Sequence, residues 1–94
     1  MITPVIREKL LFYGRVQGVG FRYRFKYAAG DLDLTGWVKN RYDGNVEAEV
    51  QGSRESITKL ISEVSKGRFV RITGIERNEI PVVDGERSFK VESW

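Results

Sequence analysis

The sequence predicts a small α+β domain in which two helices cover one face of an antiparallel sheet. Apolar and polar residues alternate in residues 7–13 and 46–50, which is the period of a strand with one buried face. Apolar residues recur every three or four positions in residues 21–32 and 57–64, which is the period of a helix that packs on one side. The predicted order is strand, helix, strand, strand, helix, strand, with a short final strand.

The first half of the chain places a glycine-rich stretch between a strand and a helix. Residues 7–13 form the first predicted strand, and residues 14–20 contain three glycines. A helix is predicted over residues 21–31, with Gly30 weakening or capping its last turn. Its apolar stripe consists of Phe21, Phe25, Ala28 and Leu32.

The middle of the chain predicts a hairpin and a second helix. Strands over residues 35–40 and 46–51 are joined by the turn at Asp43-Gly44, a dipeptide typical of tight hairpins. Ser53 is a suitable N-cap for the following helix, and Gly67 is expected to end it. The apolar stripe of this helix consists of Ile57, Leu60, Ile61 and Val64.

The last third predicts two more strands, over residues 69–80 and 87–92, separated by a turn at Pro81. The whole order is the split β-α-β, or ferredoxin-like, plan (βαββαβ), with an antiparallel sheet of four to five strands and two helices on one face. Residues 1–94 are expected to form a single domain, with residues 1–6 as a flexible N-terminal segment. Because this plan hosts many unrelated activities, the function has to be inferred from the site.

The composition narrows the chemistry. The chain has no cysteine, which excludes disulfides and thiolate nucleophiles, and no histidine, which removes the usual general base and the commonest metal ligand. Any catalysis must therefore use arginine, amide, hydroxyl, carboxylate or backbone groups. A net charge of +3 favours an anionic partner. The first residues do not resemble a signal peptide, and no apolar run is long enough for a membrane span, so a cytoplasmic location is expected.

The stretch from Gly14 to Gly20 is the main functional signal. Its glycines allow successive backbone N–H groups to turn inward and form an anion site that leads into a helix N-terminus. Arg22 follows, and a guanidinium can bind two phosphate oxygens at once. The spacing matches neither the dinucleotide fingerprint nor the P-loop, so a nucleotide site is not indicated. On spacing alone, a simple turn and a solvated arginine are the favoured interpretation.

Two ordered motifs change that interpretation, because together they resemble the two signatures of the acylphosphatase family. The first motif is residues 14–22 (GRVQGVGFR), and the second comprises residues 36–40 (GWVKN) and 43–47 (DGNVE). Residues 85–89 are similar to the family's C-terminal segment. The resemblance implies a small ferredoxin-like enzyme that hydrolyses the carboxyl-phosphate anhydride of acyl phosphates to a carboxylate and inorganic phosphate, without a metal or other cofactor.

The resemblance also implies roles for individual residues. The arginine that ends the first motif, Arg22, binds the phosphate, and the asparagine that ends the second, Asn40, positions the attacking water. No metal ligands are implied. The cradle for the phosphate is completed by backbone donors of Val16, Gln17, Gly18, Val19, Gly20 and Phe21.

The sequence departs from the common family pattern at Asp33, in residues 66–70, and at Arg41 and Tyr42 directly after the asparagine. These differences concern loop geometry and substrate preference, and they leave both motif residues in place.

Two other functions remain open at this point. A phosphate-binding accessory domain would keep the cradle without turnover. An RNA-binding module of the RRM type would share the topology, although no segment matches its consensus motif. The favoured prediction is a monomeric enzyme for small acyl phosphates, with no specific nucleic acid and no membrane as partner. The aromatic residues that would serve RNA stacking are Tyr13, Tyr23, Trp37 and Tyr42.

Overall fold

The computed structural model describes residues 3–93. Met1 and Ile2, which belong to the expected N-terminal segment 1–6, and Trp94 lie outside the described residues. The elements in chain order are β1 (Ile6–Arg15), α1 (Phe21–Asp31), β2 (Thr35–Asn40), β3 (Val46–Gly52), α2 (Arg54–Val64), β4 (Arg71–Ile80) and β5 (Phe89–Val91).

The five strands form one sheet in the order β4-β1-β3-β2-β5. All neighbouring pairs are antiparallel except β2 and β5, which are parallel. The βαββαβ order and the ferredoxin-like plan are confirmed, and the short fifth strand makes the sheet mixed rather than wholly antiparallel. The reason is the position of β5: the chain leaves β4 at one edge, crosses the sheet in residues 81–88 and adds β5 at the other edge.

Both helices pack on the same face of the sheet and share one core with it. The predicted alternation is confirmed in β1 and β3, and Phe12 contacts the rings of Phe21 and Phe25 edge to face, with centroids 5.2 and 5.6 Å apart. This aromatic cluster fixes the start of α1 over β1. The fully buried core residues of the sheet and helices are Leu10, Phe12, Val38, Val46, Ala48, Val50, Phe21, Phe25, Ala29, Ile57, Leu60 and Val64.

The predicted boundaries agree with the structure to within three residues. The first helix and second strand have the expected bounds, whereas β1 is longer at both ends and β4 begins at Arg71. In α1 the fully buried alanine is Ala29, and Ala28 is only partly buried. The second helix ends at Val64, before Gly67, with Ser65 as its C-cap. The next residue leaves the α-helical pattern, since the N–H of Lys66 donates to the carbonyl of Glu63, only three residues back, at 3.2 Å.

The opposite face of the sheet carries the connection between β4 and β5. Arg7 is only 2% exposed there, and its guanidinium donates to Glu49 (2.9 Å) and to Glu86 (2.8 Å). Burial opposes ionisation of Glu86, but the hydrogen bonds from Arg7 and Thr35 outweigh it and hold the pKa of Glu86 below its ordinary value. This ion pair anchors the crossing segment and thereby the position of β5.

Candidate active site

The loop between β1 and α1 owes its conformation to three glycines. At Gly14 (φ 119°) a Cβ would overlap the carbonyl oxygen of Arg71 on β4, so only glycine allows this close approach of the two strands. Gly18 (φ 70°) and Gly20 (φ 75°) have the left-handed conformation that side chains disfavour. Because Gly18 and Gly20 are exposed, the loop's backbone faces solvent and not the core.

Helix α1 begins on this loop without a side-chain cap. Gly20 is the N-cap, no side chain of the described residues accepts from the first turn, and the first turn contains no acidic residue. The helical hydrogen bonds start with Arg24, whose N–H donates to the carbonyl of Gly20 at 3.1 Å. The backbone N–H groups before Arg24 are therefore available, and the helix dipole adds positive potential at the same point. The arrangement suits an anion.

The side chain of Gln17 ties this loop to the hairpin between β2 and β3. Its Nε2 donates to the carbonyl oxygens of Arg41 (2.7 Å) and Asn45 (2.8 Å), which lie on either side of the turn. The turn is itself closed by the N–H of Arg41, which donates to the Asn45 carbonyl at 2.9 Å. The sequence motif predicts only a backbone role for Gln17. Its two partners lie 24 and 28 residues away, so no local pattern reveals this contact.

Asn40 ends β2 next to this turn. Because side chains alternate along a strand, Asn40 shares the helix-facing side of β2 with the buried Val38. Its Oδ1 is buried and accepts no hydrogen bond from any residue between Thr3 and Ser93. A buried amide oxygen without a partner is costly and rare in folded proteins. The described residues therefore leave this buried acceptor without a donor.

The strand register brings Asn40 and the start of α1 to the same end of the molecule. Asn40 pairs with Val46 on β3, and Val46 pairs with Phe12 on β1. The ring of Phe12 contacts the ring of Phe21, the first residue of α1. The loop with the helix N-terminus that follows it and Asn40 therefore lie at the same end of the fold, although they come from two separate segments of the chain.

Arg22 lies in the first turn of α1 and is held by the end of the chain. Its Nη1 donates to the carbonyl of Glu92 at 3.3 Å, and the N–H of Glu92 donates to the carbonyl of Val38 at 2.8 Å. The guanidinium forms no ion pair with a carboxylate in residues 3–93. One hydrogen bond to a neutral carbonyl leaves most of its five donors for an anion.

The remaining loop residues of the predicted site have two kinds of role. Val16 and Phe21 are about 1% exposed, so their side chains anchor the loop in the core while their backbone belongs to its surface. Gly18 and Gly20 form the exposed part between these anchors, whereas Val19 is half-buried and packs against the core.

Arg41, which follows Asn40, forms ion pairs with carboxylates of its own hairpin. Arg41 donates from Nε to the carboxylate of Asp43 at 3.1 Å and lies 3.7 Å from Glu47. The backbone N–H of Asn45, together with the Arg41 guanidinium, lowers the pKa of Asp43 below its ordinary value. The positive charge of Arg41 is therefore balanced by carboxylates of the same hairpin.

In the part of the chain that the structure describes, no group of three or more His, Cys, Asp or Glu side chains has the arrangement of a metal site. None of the helices there is long and apolar enough to cross a membrane.

The fold and this site define a class: small ferredoxin-like α+β proteins in which a glycine loop leads into a helix N-terminus that has no side-chain cap and carries an arginine in its first turn. The acylphosphatase family model matches residues 8–91 of the chain. An acylphosphatase from Clostridium beijerinckii is 46% identical over 89 residues, which cover 94% of this chain and 99% of that protein. The chain belongs to the acylphosphatase family, and it is an enzyme that takes a small acyl phosphate as substrate and releases phosphate.

Solved structures agree with this assignment. The crystal structure of acylphosphatase from Bacillus subtilis matches with a TM-score of 0.85 and 35% identity, covering 93% of this chain and 98% of that one. Full-length HypF in a phosphate- and nucleotide-bound form matches with a TM-score of 0.83 and 26% identity, over 99% of this chain and only 12% of HypF. The same fold thus occurs both as a small enzyme and as one part of a much larger protein.

Proposed function

We propose that the chain hydrolyses acyl phosphates by direct attack of water on phosphorus, with Arg22 and the backbone of residues 16–21 binding the phosphate and Asn40 positioning the water. The observation that carries this proposal is the buried, unpartnered Oδ1 of Asn40 at the same end of the fold as the uncapped start of α1. The two features suit the two reactants of one reaction. The start of α1 can bind the phosphate anion, and the Oδ1 of Asn40 can accept a hydrogen bond from a water molecule beside it.

The reaction needs little proton transfer from the protein. The oxygen of water forms a bond to phosphorus, the bond between phosphorus and the carboxyl oxygen breaks, and its electron pair leaves on the carboxylate. Because carboxylic acids ionise near pKa 4, this leaving group requires no general acid. One proton of water passes to a phosphate oxygen, so the products are a carboxylate and dihydrogen phosphate. A chain without histidine can perform this reaction.

The phosphate is stabilised by fixed donors. Positioning and electrostatic stabilisation supply most of the rate in phosphoryl transfer. The N–H groups at the start of α1 are oriented before substrate arrives, and the Arg22 guanidinium can bind two equatorial oxygens in a bidentate manner. Gln17 keeps this loop at a fixed distance from the hairpin that carries Asn40. We propose that these groups suffice without a metal ion.

Asn40 is suited to hold water because its amide can act in both directions. The Oδ1 accepts a hydrogen bond from the attacking water, and the Nδ2 can donate to a phosphate oxygen. Water is then held in line with the scissile bond. A carboxylate at this position would accept from water equally well but would repel the phosphate.

The proposed partners are the small substrate and product alone, in a cytoplasmic monomer. An RNA module of this topology would stack bases on the open face of the sheet. Here residues 81–88 cross that face and are held by the Arg7–Glu86 ion pair and by Gln51, which exchanges two 2.9 Å hydrogen bonds with the backbone of Val83. This crossing speaks against specific RNA binding.

Hydrolysis of benzoyl phosphate by the purified protein in EDTA tests the proposal. We expect turnover that survives chelation and is inhibited competitively by inorganic phosphate, because the loop recognises the tetrahedral anion. Phosphate binding without turnover would instead support the accessory-domain alternative. Activity lost in EDTA and restored by Mg²⁺ would overturn the metal-free mechanism.

A further inference from the structure

A cleft of about 520 Å³ opens directly from the phosphate loop, between α1 and the loop that follows α2. Val19 and Gly20 of the phosphate loop line it together with Arg24 and Arg68. Residues 66–70, which include Arg68, are the segment in which the sequence departs from the common family pattern. The proposed mechanism assigns no role to this cleft, which is called the Arg24–Arg68 cleft below.

The two arginines of the cleft are not neutralised by the protein. Neither guanidinium forms an ion pair with a carboxylate among residues 3–93, and Arg68 only stacks on the Phe69 ring, 5.4 Å from its centroid. Arg24 passes close to Gly67, where a Cβ would come within 3.3 Å of its Nε. The absence of a side chain at Gly67 therefore makes room for the Arg24 guanidinium at the wall of the cleft.

Two carboxylates, Asp31 and Glu63, also line the cleft. Asp31 lies seven residues beyond Arg24 on the same helix, about 10 Å along the axis. Glu63 is already paired with Lys66 at 2.9 Å. The charge of the cleft is therefore graded, positive next to the phosphate loop and negative away from it. A short anionic group is favoured near the loop, and a longer one would meet Asp31.

The in-line geometry of phosphoryl transfer also favours this cleft as the place of the acyl group. The attacking and leaving oxygens of a phosphoryl transfer lie roughly in line. Water is proposed beside Asn40 at the end of β2. Arg22 lies on the flank of α1 nearest β2, because it donates to the carbonyl of Glu92, whose N–H donates to Val38. Arg24 lies two residues further along α1, about 200° around the helix, and so on its opposite flank. A leaving acyl group opposite the water points toward the Arg24 flank.

We propose that the Arg24–Arg68 cleft is the acyl-group subsite and that it favours acyl phosphates whose acyl group carries a second anionic group. The inference rests on the proposed function, because it takes the loop as the phosphate site. Arg24 is one helix turn, about 6 Å, beyond Gly20. The exposed rings of Tyr27 (70% exposed) and Phe69 (61% exposed) offer flat surfaces for the part of the acyl group between the two anions.

A matched pair of substrates tests the subsite. Benzoyl phosphate and 4-carboxybenzoyl phosphate differ by one carboxylate, which the rigid ring places roughly one helix turn from the anhydride. We expect kcat/KM of the unmodified enzyme to be about threefold to tenfold higher for the carboxylated substrate, the range of one or two solvent-exposed ion pairs. The preference should fall in Arg24→Ala and in Arg68→Ala, and reach about one in the double variant.

Arg87→Ala is the matched control, because it removes the same charge from the segment that crosses the opposite face of the sheet. It should retain the full preference. Equal kcat/KM for the two substrates in the unmodified enzyme, or a preference that survives in the folded double variant, would overturn the subsite. If Arg87→Ala lost the preference to the same extent, the net charge of the protein would explain the preference, and the subsite would also be overturned.

A binding measurement separates this inference from the proposed function. Calorimetry with 4-carboxybenzylphosphonate and benzylphosphonate, which are not hydrolysed, should give the same ratio of affinities and the same loss in the double variant. If benzoyl phosphate is not turned over, the proposed function fails, and the phosphonate ratio still decides whether the cleft binds the second anion. An affinity ratio of one in the unmodified protein refutes the subsite even where turnover is normal.

Discussion

The two helices of this protein begin in opposite ways. At the start of α2, the Ser53 side chain accepts from the N–H of Ser56 at 3.1 Å, and Glu55 places a negative charge in the first turn. At the start of α1, a glycine stands at the cap, no side chain among residues 3–93 accepts from the first turn, and the charged residue there is Arg22. The N–H groups at the start of α2 thus have a side-chain acceptor from the adjoining sequence. Those at the start of α1 have none, and an arginine adds positive charge beside them.

The difference teaches how the fold separates stability from function. An N-cap side chain and an acidic first turn stabilise a helix by about 1 kcal/mol or more, and α1 lacks both. Its start is held instead by tertiary contacts, namely the ring of Phe21 on Phe12 and the hydrogen bonds of Gln17 to the hairpin. Donors that a cap would have satisfied thereby remain for the substrate. Four substitutions test this contrast.

Arg22→Ala should have the largest effect, because it removes the positive charge from the open helix end. In the proposed mechanism Arg22 contacts phosphate in the ground state and in the transition state, so both phosphate affinity and kcat should fall, with kcat/KM reduced by about 1,000-fold. Arg22→Lys should fail to restore activity, since one ammonium cannot reproduce a bidentate guanidinium. Steady-state kinetics together with calorimetry of phosphate binding measure both effects. Normal phosphate affinity in folded Arg22→Ala would contradict the proposed role of Arg22 in phosphate binding.

Asn40→Ala should separate water positioning from phosphate binding. We expect kcat to fall by about 100-fold while phosphate affinity stays nearly unchanged, because in the proposed mechanism the buried Oδ1 holds the attacking water. Asn40→Asp should be at least as damaging, since the carboxylate repels phosphate and lacks the amide donor. Circular dichroism checks that each variant is folded. A near-normal kcat in Asn40→Ala, or a loss of phosphate binding as complete as that of Arg22→Ala, would contradict the assignment.

Gln17→Leu tests whether tertiary contacts hold the open helix end. The substitution keeps most of the side-chain volume but removes both hydrogen bonds to the hairpin, so kcat/KM should fall by about tenfold and stability by about 1–2 kcal/mol. As a positioning residue, Gln17 should affect kcat more than the affinity for inorganic phosphate. Denaturant unfolding beside kinetics makes the measurement. Lower stability with unchanged kcat would mean that the contact serves the fold alone.

Ser53→Ala is the counterpart at the closed helix end and should have the smallest effect on the reaction. Loss of the side-chain cap should lower the free energy of unfolding by about 1 kcal/mol. We expect kcat and KM to stay unchanged, because α2 begins away from the phosphate loop. Chemical denaturation and benzoyl phosphate kinetics on the same preparation provide the check. A clear drop in kcat would show that the two helix ends are coupled.

Local patterns in the sequence determined most of the fold, and the paired motifs supplied the residues of the proposed site. The alternation in β1 and β3, the turn at Asp43-Gly44 and the Ser53 cap each depend on the conformation of a few neighbouring residues. Such short-range preferences act wherever the segment lies. The paired motifs likewise name Arg22 and Asn40 without reference to distance in space.

Only the tertiary structure decided which distant groups meet. In the sequence, Arg7 is one polar residue of an alternating strand. In the structure it is buried, because the segment that carries Glu86, 79 residues away, crosses the sheet and Glu86 pairs with it. The parallel addition of β5 and the contacts of Gln17 have the same origin. These contacts depend on how the whole chain closes around one core, and no short window of sequence contains that information. The unpartnered oxygen of Asn40 is a consequence of the same closure, since burial removes it from water and the fold supplies no donor.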